Sequence, residues 1–328
     1  MIISKTPIRI SFFGGGTDYP EYYRQNGGAA LSTTIDKYIY ITVKKLAGIS
    51  EWKYKITYSR IEGCNSIDEI QHPVVRACLN FLKINDSIEI HVISDLPARS
   101  GTGSSSAFTV GLLNALYALQ GKMVTKERLA NEAIYIEQVV LRERVGVQDQ
   151  LAAAHGSLNY YELRQDDSFI VNPLVLKPER KVLLQNKLLM FYTGLSRYAH
   201  EILEEQISNT KENKIDDNLK VIKQMVQDGV SILTSEKSLD DFGRLLNYAW
   251  ETKKSLSSSI SSGFLDEIYS RAISSGALGG KLLGAGGGGF FVFYVNHENQ
   301  DKVRKCLSDL VEVKFNFENE GSKVIFYT

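Results

Sequence analysis

The sequence predicts an α+β fold of two domains, and three observations support this prediction. The chain has 328 residues, which is long enough for two domains with separate cores, although one large domain is possible. The first half mixes strand-like segments, such as the aromatic and β-branched run at 38–44, with helical segments such as 72–82. Polar, proline-containing segments at 165–186 precede a second series of helices and strands, so we predict domains at 1–180 and 181–328.

Each predicted element depends on a local pattern of residues. Runs of β-branched and aromatic residues predict strands in the first domain at 8–13, 38–44, 53–58, 87–93 and 158–163. Apolar residues at helical spacing predict helices there at 72–82, 108–119 and 126–142. The same criteria predict strands in the second domain at 188–192, 289–295, 311–317 and 323–327. They also predict helices at 239–254, 263–275 and 297–310, and two helices within 198–234 separated by the polar stretch 209–218.

Composition and charge argue against several classes of protein. Lys and Arg together number 38, as do Asp and Glu, so the formal net charge is zero and nucleic acid is not an expected partner. The three cysteines form no CxxC pair and fit a reducing compartment. The chain lacks a signal-peptide core and an apolar run of about 18 residues, so we expect a cytoplasmic protein outside membranes. The sequence does not determine the oligomeric state, and a homo-oligomer is possible.

A glycine- and serine-rich loop at 97–107 is the strongest indication of a ligand site. It runs into a predicted helix, whose first backbone N–H groups have no intrahelical partner and attract anions. Glycine lets the backbone approach a phosphate closely, and serine hydroxyls can cap the helix or reach a metal ion. The loop therefore predicts phosphate binding, and in particular a nucleotide; a serine-capped helix after a flexible turn explains the segment equally well.

Two further glycine segments lie next to predicted strands. The strand at 8–13 carries Arg9 and leads through three glycines to Asp18, which can accept hydrogen bonds from a polyol, although a tight Asx turn explains the same pattern. The segment 279–290 contains GxGxxG but leads into a strand instead of opening a helix, so it is no Rossmann fingerprint. Four consecutive glycines are costly to order, which favours a loop that forms part of a site.

Two acidic residues are candidates for chemistry. Glu137 falls within the apolar stripe of the helix at 126–142, where a carboxylate must be paired, hydrogen-bonded or metal-bound. It is either a magnesium ligand or the partner of a neighbouring arginine such as Arg142 or Arg144. Asp149 lies at the start of an alanine-rich helix and is either an N-cap or a general base.

Taken together and in this order, the segments at 7–18, 97–107 and 281–289 resemble the three motifs of the GHMP kinase superfamily, which includes galactokinase, homoserine kinase, mevalonate kinase and phosphomevalonate kinase. The second segment follows the pattern Pro-x-x-x-Gly-x-Gly-Ser-Ser, with Thr102 where leucine is usual. The resemblance spans essentially the whole chain. It implies an N-terminal domain like ribosomal protein S5 domain 2, a ferredoxin-like C-terminal domain, and ATP in the cleft between them.

The resemblance also implies roles for individual residues. Asp149 would be the catalytic base and Arg9 the basic residue that assists the nucleophile. Magnesium would be held by Ser105 and Glu137. The ATP phosphates would be held by the loop residues Pro97, Ser100, Gly101, Thr102, Gly103, Ser104, Ser105 and Ser106. The substrate would be bound by Gly15, Gly16, Thr17, Asp18, Thr193, Arg197, Gly286 and Gly287.

Within the superfamily, the segments 9–18, 191–197 and 250–256 resemble the sugar-1-kinase branch, and within it the bacterial heptose 7-phosphate kinases. The expected reaction is transfer of the ATP γ-phosphate to the anomeric hydroxyl of a sugar phosphate, with Mg²⁺ as cofactor. Such a substrate needs a second cationic site, for which the candidates are Arg99, Arg197, Lys253 and Lys254. The alternatives are a fucokinase- or galactokinase-like enzyme, or a nucleotide-binding regulator without turnover.

Overall fold

The structure is a computed structural model, and it describes most of the residues of the chain. The described residues are 1–48, 50–98, 100–195, 199–212, 214–257 and 259–328, without the side chains of 199–204. The predicted cations Arg99 and Arg197 lie outside these residues.

The described residues of the first half of the chain form seven strands and five helices. The strands are β1 (Ile2–Phe13), β2 (Gly28–Lys45), β3 (Tyr54–Thr57), β4 (Ile61–Cys64), β5 (Ile88–Ser94), β6 (Leu158–Leu163) and β7 (Phe169–Pro173). The helices are α1 (Pro20–Asn26), α2 (Pro73–Leu82), α3 (Ser104–Leu119), α4 (Lys126–Tyr135) and α5 (Gln148–His155). A 3-10 turn occupies Ile67–Glu69, and α4 continues into a π-helical segment at Ile136–Val140.

In the second half, the part of the chain that the structure describes forms six further helices and six further strands. The helices are α6 (Pro178–Asn186), α7 (Ala199–Lys211), α8 (Asp216–Thr234), α9 (Asp240–Lys254), α10 (Gly263–Ser274) and α11 (His297–Cys306). The strands are β8 (Leu188–Tyr192), β9 (Ala277–Leu282), β10 (Phe290–Val295), β11 (Val311–Glu312), β12 (Phe317–Glu318) and β13 (Lys323–Tyr327). The predicted α+β fold is confirmed, and the predicted division of 198–234 into two helices agrees with α7 and α8.

The long strand β2 organises the larger sheet, which has nine strands. β1 pairs with it on one side, and β5 and β6 pair with successive parts of its other side. Helix α3 packs across β1 and β2. The approach is close at Gly111, because a Cβ there would lie 2.6 Å from Thr6 Oγ1, and the Ser4 hydroxyl donates to the Gly111 carbonyl at 2.8 Å. This packing fixes the N-terminus of α3 relative to the end of β1.

The smaller sheet has four antiparallel strands in the order β11-β8-β10-β9. Its core is aromatic: Trp250 packs edge-on against Phe291, with ring centroids 5.6 Å apart, and Phe291 stacks on Phe293. The two sheets are joined through a continuous core, in which Phe12 and Phe13 each meet Phe242 of α9 edge-on at 5.2 Å. The end of β1 is therefore held against the second half of the chain.

The two last strands require a correction to the predicted domain 181–328. β12 pairs with β2 and β13 pairs with β1, so both belong to the larger sheet. The predicted strand 311–317 is accordingly split between two sheets, with β11 in one and β12 in the other. β13 covers the outer edge of β1, whose backbone groups would otherwise lack partners. Within the described ranges, no helix combines the length and apolar character needed to cross a membrane.

Candidate active site

The three glycine-rich segments meet at one cleft between the two sheets. The cleft has a volume of about 390 Å³ and is lined by residues from all three segments. The second and third segments touch: a Cβ on Gly101 would lie 2.3 Å from the Leu283 carbonyl oxygen, and one on Gly289 would lie 2.3 Å from the Ser100 carbonyl oxygen. Glycine is required at both positions because their backbone φ angles of 79° and 107° are also unfavourable for other residues.

Arg9 and Asp149 form the central ion pair of the cleft. Arg9 Nε and Nη2 donate to the two Asp149 carboxylate oxygens at 2.7 and 2.9 Å. Arg9 Nη1 donates to the Gly101 carbonyl at 2.6 Å, so one side chain links β1, the first turn of α5 and the glycine–serine loop. Two parallel hydrogen bonds of this kind are strong and fix the orientation of both groups.

A second buried contact joins β1 and α5 beside this pair. The Ser11 hydroxyl and the Gln148 amide lie 2.9 Å apart in a position two residues along β1 from Arg9. The first turn of α5 thus has two attachments to β1.

Asp18 faces the same cleft from the turn that follows β1. Its Oδ1 accepts from the Gly16 N–H at 3.0 Å, and a Cβ on Gly146 would lie 2.0 Å from its Oδ2. Burial raises the pKa of Asp18 from 3.8 to about 6, and the nearby Asp149 charge acts in the same direction. Thr17 does not line the cleft; its hydroxyl bonds to the carbonyls of Gly14 and Ala29 and holds the turn.

The glycine–serine loop presents the N-terminus of α3 to the cleft. Gly103, in the left-handed conformation, occupies the N-cap position without a side-chain cap, and the first intrahelical bond runs from Ala107 N–H to the Gly103 carbonyl. The N–H groups of the three preceding serines are the ones that a helix start leaves for an anion. The cleft-lining residues of this loop are Gly101, Gly103, Ser104, Ser105 and Ser106.

Three of the residues predicted to hold the ATP phosphates do not lie at the surface of the cleft. Ser100 donates to the Pro97 carbonyl at 2.7 Å, and its hydroxyl lies 3.2 Å from that of Thr102. Ser100 and Thr102 are fully buried, and Pro97, Ser100 and Thr102 do not line the cleft. The hydroxyls of Ser100 and Thr102 stabilise the loop from inside. Their predicted contact with ATP stays a prediction, because they do not face the cleft.

Glu137 lies fully buried behind the first turn of α3. Its Oε2 accepts from the Ser106 hydroxyl at 2.8 Å and from the Gln150 amide at 2.5 Å. Within the described part of the chain, Oε1 has no hydrogen-bond partner. Burial raises the pKa of Glu137 from 4.5 to about 7, against the lowering effect of the surrounding hydrogen-bond donors. The structure thus pairs Glu137 with neither Arg142 nor Arg144.

Two serines lie near the predicted magnesium site, and the assignment of Ser105 and Glu137 as its ligands stays a prediction. Ser106, and not Ser105, contacts Glu137; Ser105 is exposed at the rim of the cleft. A buried carboxylate with one unpartnered oxygen, next to serine hydroxyls, fits the preference of Mg²⁺ for oxygen ligands. Among the described residues, no cluster of three or more His, Cys, Asp or Glu side chains offers an all-protein cage for a metal.

The predicted substrate residues divide into two groups. Gly15, Gly16, Asp18 and Gly286 line the cleft. Thr193 and Gly287 support it: the Thr193 hydroxyl donates to the Gly289 carbonyl at 2.9 Å, and Gly287 N–H donates to the Ile260 carbonyl at 2.9 Å. Arg197, as noted, is outside the described residues.

Sequence reasoning missed Lys281 as a residue of the cleft. Lys281 is buried in β9, lines the cleft, and donates to the Phe12 carbonyl at 3.0 Å. Lys253, at the end of α9, was one of four candidates, and it too is buried at the cleft and donates to the Gly284 carbonyl. A lysine inside an otherwise apolar and glycine-rich strand is the signal that could have identified Lys281.

Comparison with known proteins defines the class of this protein. Residues 72–157 match the GHMP kinases N terminal domain, and residues 231–312 match the GHMP kinases C terminal domain. A D-glycero-alpha-D-manno-heptose 7-phosphate kinase from Campylobacter jejuni is 31% identical, and the alignment covers 98% of each chain. The chain therefore belongs to the GHMP kinase family, and it is a phosphotransferase that acts on a sugar hydroxyl.

This chain is also similar to other proteins at lower sequence identity. An L-fucokinase/L-fucose-1-P guanylyltransferase from Bacteroides fragilis is 27% identical over 94% of this chain and 36% of the relative. A D-glycero-D-manno-heptose 1-phosphate kinase from Bacteroides thetaiotaomicron superposes with a TM-score of 0.82 at 24% identity, covering all of both chains. The structure of a Lactococcus lactis galactokinase in complex with galactose superposes with a TM-score of 0.74 at 18% identity, covering 98% of this chain and 94% of the galactokinase. These two structures share the fold of this chain.

Proposed function

We propose that this protein transfers the γ-phosphate of ATP to the anomeric hydroxyl of D-glycero-D-manno-heptose 7-phosphate, giving the 1,7-bisphosphate. The similarity over 98% of both chains to the Campylobacter jejuni heptose 7-phosphate kinase carries the choice of substrate. The Arg9–Asp149 pair, together with the N-terminus of α3 that lines the same cleft, supports the choice of chemistry. The proposal places the enzyme in the cytoplasm, where ATP is available.

In this proposal Asp149 is the general base. A carboxylate can accept about four hydrogen bonds, so the two from Arg9 leave capacity for the acceptor hydroxyl. The hydroxyl oxygen forms a bond to the γ-phosphorus, its proton passes to Asp149, and the bond to the bridging oxygen breaks to release ADP. Arg9 is close enough to stabilise negative charge on the attacking oxygen. Asp18 and the turn at Gly15 and Gly16 bind the sugar hydroxyls.

The triphosphate is held at the start of α3 in this scheme. The N–H groups of Ser104, Ser105 and Ser106 donate to phosphate oxygens, as helix N-termini commonly do. Glu137 and the neighbouring serine hydroxyls would hold Mg²⁺, which supplies charge neutralisation of the triphosphate. Phosphoryl transfer depends chiefly on such positioning and neutralisation, and covalent chemistry by the protein is not required.

A panel of acceptors tests the proposal. The purified protein is given ATP and Mg²⁺ with heptose 7-phosphate, unphosphorylated heptose, L-fucose, galactose and mannose, and ADP release and the product's ³¹P spectrum are recorded. We expect the largest kcat/KM for heptose 7-phosphate and a new phosphate resonance from the anomeric position. The distant fucokinase relatives make L-fucose the relevant competitor. A larger kcat/KM for L-fucose would refute the proposed substrate.

A further inference from the structure

Lys253 and Lys281 place two buried ammonium groups at the wall of the cleft. Their exposed fractions are 8% and 6%. Each ammonium has three donors, yet each makes only one hydrogen bond to the described residues, in both cases to a main-chain carbonyl. Within the described part of the chain, neither has a carboxylate within ion-pair distance, although Asp18 favours the charged form of both. Buried cations are costly unless an anion compensates them.

The two lysines lie at the end of the cleft that follows β1. They border a small recess together with Phe12, Phe13 and Gly15, beside the turn that leads to Asp18. The Lys281 ammonium bonds to the carbonyl of Phe12, the penultimate residue of β1. The N-terminus of α3, by contrast, is the part of the cleft suited to the triphosphate. The lysines thus lie on the acceptor side.

The charges in this part of the cleft do not balance. The Arg9 charge is matched by Asp149 through two hydrogen bonds. Two lysines then face one carboxylate, that of Asp18. The other titratable groups that line the cleft are Tyr19, Glu143 and Arg144, which bring no net charge when the phenol is neutral. A dianionic ligand would complete the balance.

We propose that Lys253 and Lys281 form the subsite that binds the phosphate ester of the acceptor, so that the enzyme selects a sugar phosphate over the corresponding neutral sugar. A phosphate monoester carries a charge of roughly −1.5 to −2 at neutral pH, and lysine binds it as a point charge. This inference rests on the proposed function, because it concerns the acceptor of that reaction. It leaves the donor site on α3 unchanged.

The burial of the lysines supports this assignment. Burial and the Arg9 charge lower the pKa of Lys253 from 10.5 to about 8, against the opposite effect of Asp18. Burial and the charges of Lys253 and Arg9 also lower the pKa of Lys281. A bound phosphate dianion would favour the protonated form of both lysines. Binding of the phosphorylated acceptor above pH 8 should therefore take up protons.

The first test uses Lys253→Met with Lys254→Met as its matched control. Lys254 is the next residue and was a candidate for this site, but it does not line the cleft, and its ammonium pairs with Glu251 at 2.9 Å and Asp266 at 3.5 Å. For Lys253→Met we expect KM for heptose 7-phosphate to rise about tenfold or more, the size of a lost hydrogen bond to a charged group. KM for unphosphorylated heptose and the Kd for ATP should stay at the wild-type values, as should every constant of Lys254→Met.

Two outcomes would overturn the inference. An unchanged KM for heptose 7-phosphate in Lys253→Met would show that the lysine does not bind the ester. An equal rise in KM for both acceptors would instead assign Lys253 to the transferring phosphoryl group or to folding. The melting temperature and the Kd for ATP distinguish these two roles. If the wild-type protein does not use heptose 7-phosphate at all, it is the proposed function that fails.

The second test needs no variant. Heptose 7-phosphate binding to the wild-type protein is measured by calorimetry at pH 8.5 in two buffers that differ in ionisation enthalpy. The ester is already a dianion there, because its second pKa is about 6. We expect net proton uptake with heptose 7-phosphate and none with unphosphorylated heptose. Binding without proton uptake would contradict the subsite.

Discussion

Arg9 and Asp149 are 140 positions apart in the chain, yet their side chains meet through two hydrogen bonds of 2.7 and 2.9 Å. The pair brings together a strand, a helix start and, through the Gly101 carbonyl, the glycine–serine loop. Each partner is held by secondary structure, so the site does not depend on a mobile side chain finding its position. The proposed base is thus oriented before the substrate binds.

Asp149→Asn should remove turnover while leaving ATP binding intact. The amide keeps the size of the carboxylate but cannot take the hydroxyl proton, and general base catalysis is worth roughly 10²–10⁴-fold. We expect kcat to fall by that range and the Kd for ATP to stay within about twofold of wild type. Asp166→Asn, at an exposed site, is the control. A kcat near that of wild type in Asp149→Asn would refute the assignment of Asp149 as the general base.

The acceptor should bind more weakly as the pH falls below 6. The pKa of Asp18 is raised to about 6, so the carboxylate that accepts hydrogen bonds from sugar hydroxyls becomes protonated there. The logarithm of kcat/KM for unphosphorylated heptose, which lacks the ester that itself titrates near pH 6, should decline with a midpoint near pH 6, and Asp18→Asn should lower kcat/KM and remove this midpoint. Retention of the same midpoint in Asp18→Asn would assign it to another group.

Magnesium should stabilise the wild-type protein but not Glu137→Gln. The folded-state pKa of Glu137 is raised from 4.5 to about 7, so the folded protein binds this proton more tightly than the unfolded chain does. Its contribution to stability is therefore lost as the pH rises from about 4.5 to 7. At pH 8 without metal, Glu137→Gln should melt at a higher temperature than wild type, because the buried charge is removed.

The magnesium dependence is measured by thermal melting at pH 8 with and without Mg²⁺. Wild type should gain melting temperature with the ion, and Glu137→Gln should not. Ser106→Ala provides a comparison, since it removes one donor from the Glu137 carboxylate and keeps its charge. An equal gain for wild type and Glu137→Gln would place the ion elsewhere.

Gly101→Ala should be far more damaging than Gly121→Ala. Both glycines have positive φ, 79° and 69°, so both substitutions carry the same kind of backbone strain. The new Cβ at Gly101 would collide with main chain, 2.3 Å from the Leu283 carbonyl oxygen, whereas no atom of the described residues lies within 4 Å of one at Gly121. We expect at least about 2 kcal/mol more loss of unfolding free energy for Gly101→Ala, together with weaker ATP binding. Similar losses for the two variants would show that the loops can separate freely.

Lys281→Met should stabilise the protein while weakening acceptor binding. Burial lowers the pKa of Lys281, so the folded protein holds this proton less tightly than the unfolded chain. The loss of unfolding free energy caused by this buried charge is largest below the folded-state pKa. It disappears as the pH approaches the pKa of free lysine, near 10.4. Chemical denaturation should therefore show that Lys281→Met has an unfolding free energy higher than wild type by about 1 kcal/mol or more at pH 6, and no such difference at pH 10. Destabilisation at pH 6 would contradict this account.

The strands that sequence patterns predicted best are those with one clear run of large side chains. The prediction at 158–163 coincides with β6, and the one at 323–327 with β13. The first part of β2 was missed because its residues are small and buried on both faces, which hides any alternation. β9 was missed because it contains Gly279, where a Cβ would lie 2.0 Å from the Gly243 carbonyl oxygen of α9. That requirement comes from packing and has no local signature.

The site was predictable in its motifs but not in its finer geometry. Arg9, Asp18 and Asp149 were singled out, and the structure brings them to one cleft. Which of Ser105 and Ser106 contacts Glu137 depends on where α3 begins, because one residue turns a side chain by about 100° around a helix. Lys281 was missed since its role follows from β9 lying beside the end of β1. Such long-range neighbours are not visible in a single sequence.

The pairing of β13 with β1 has a consequence for how the protein is made. The ribosome synthesises β1 before β13, and all the other strands and helices described here lie between them in the chain. Throughout that interval the outer edge of β1 offers unpaired N–H and C=O groups to any other nascent strand. The larger sheet therefore cannot finish folding as an N-terminal unit during translation, and truncated or stalled products should depend on chaperones more than the finished chain does.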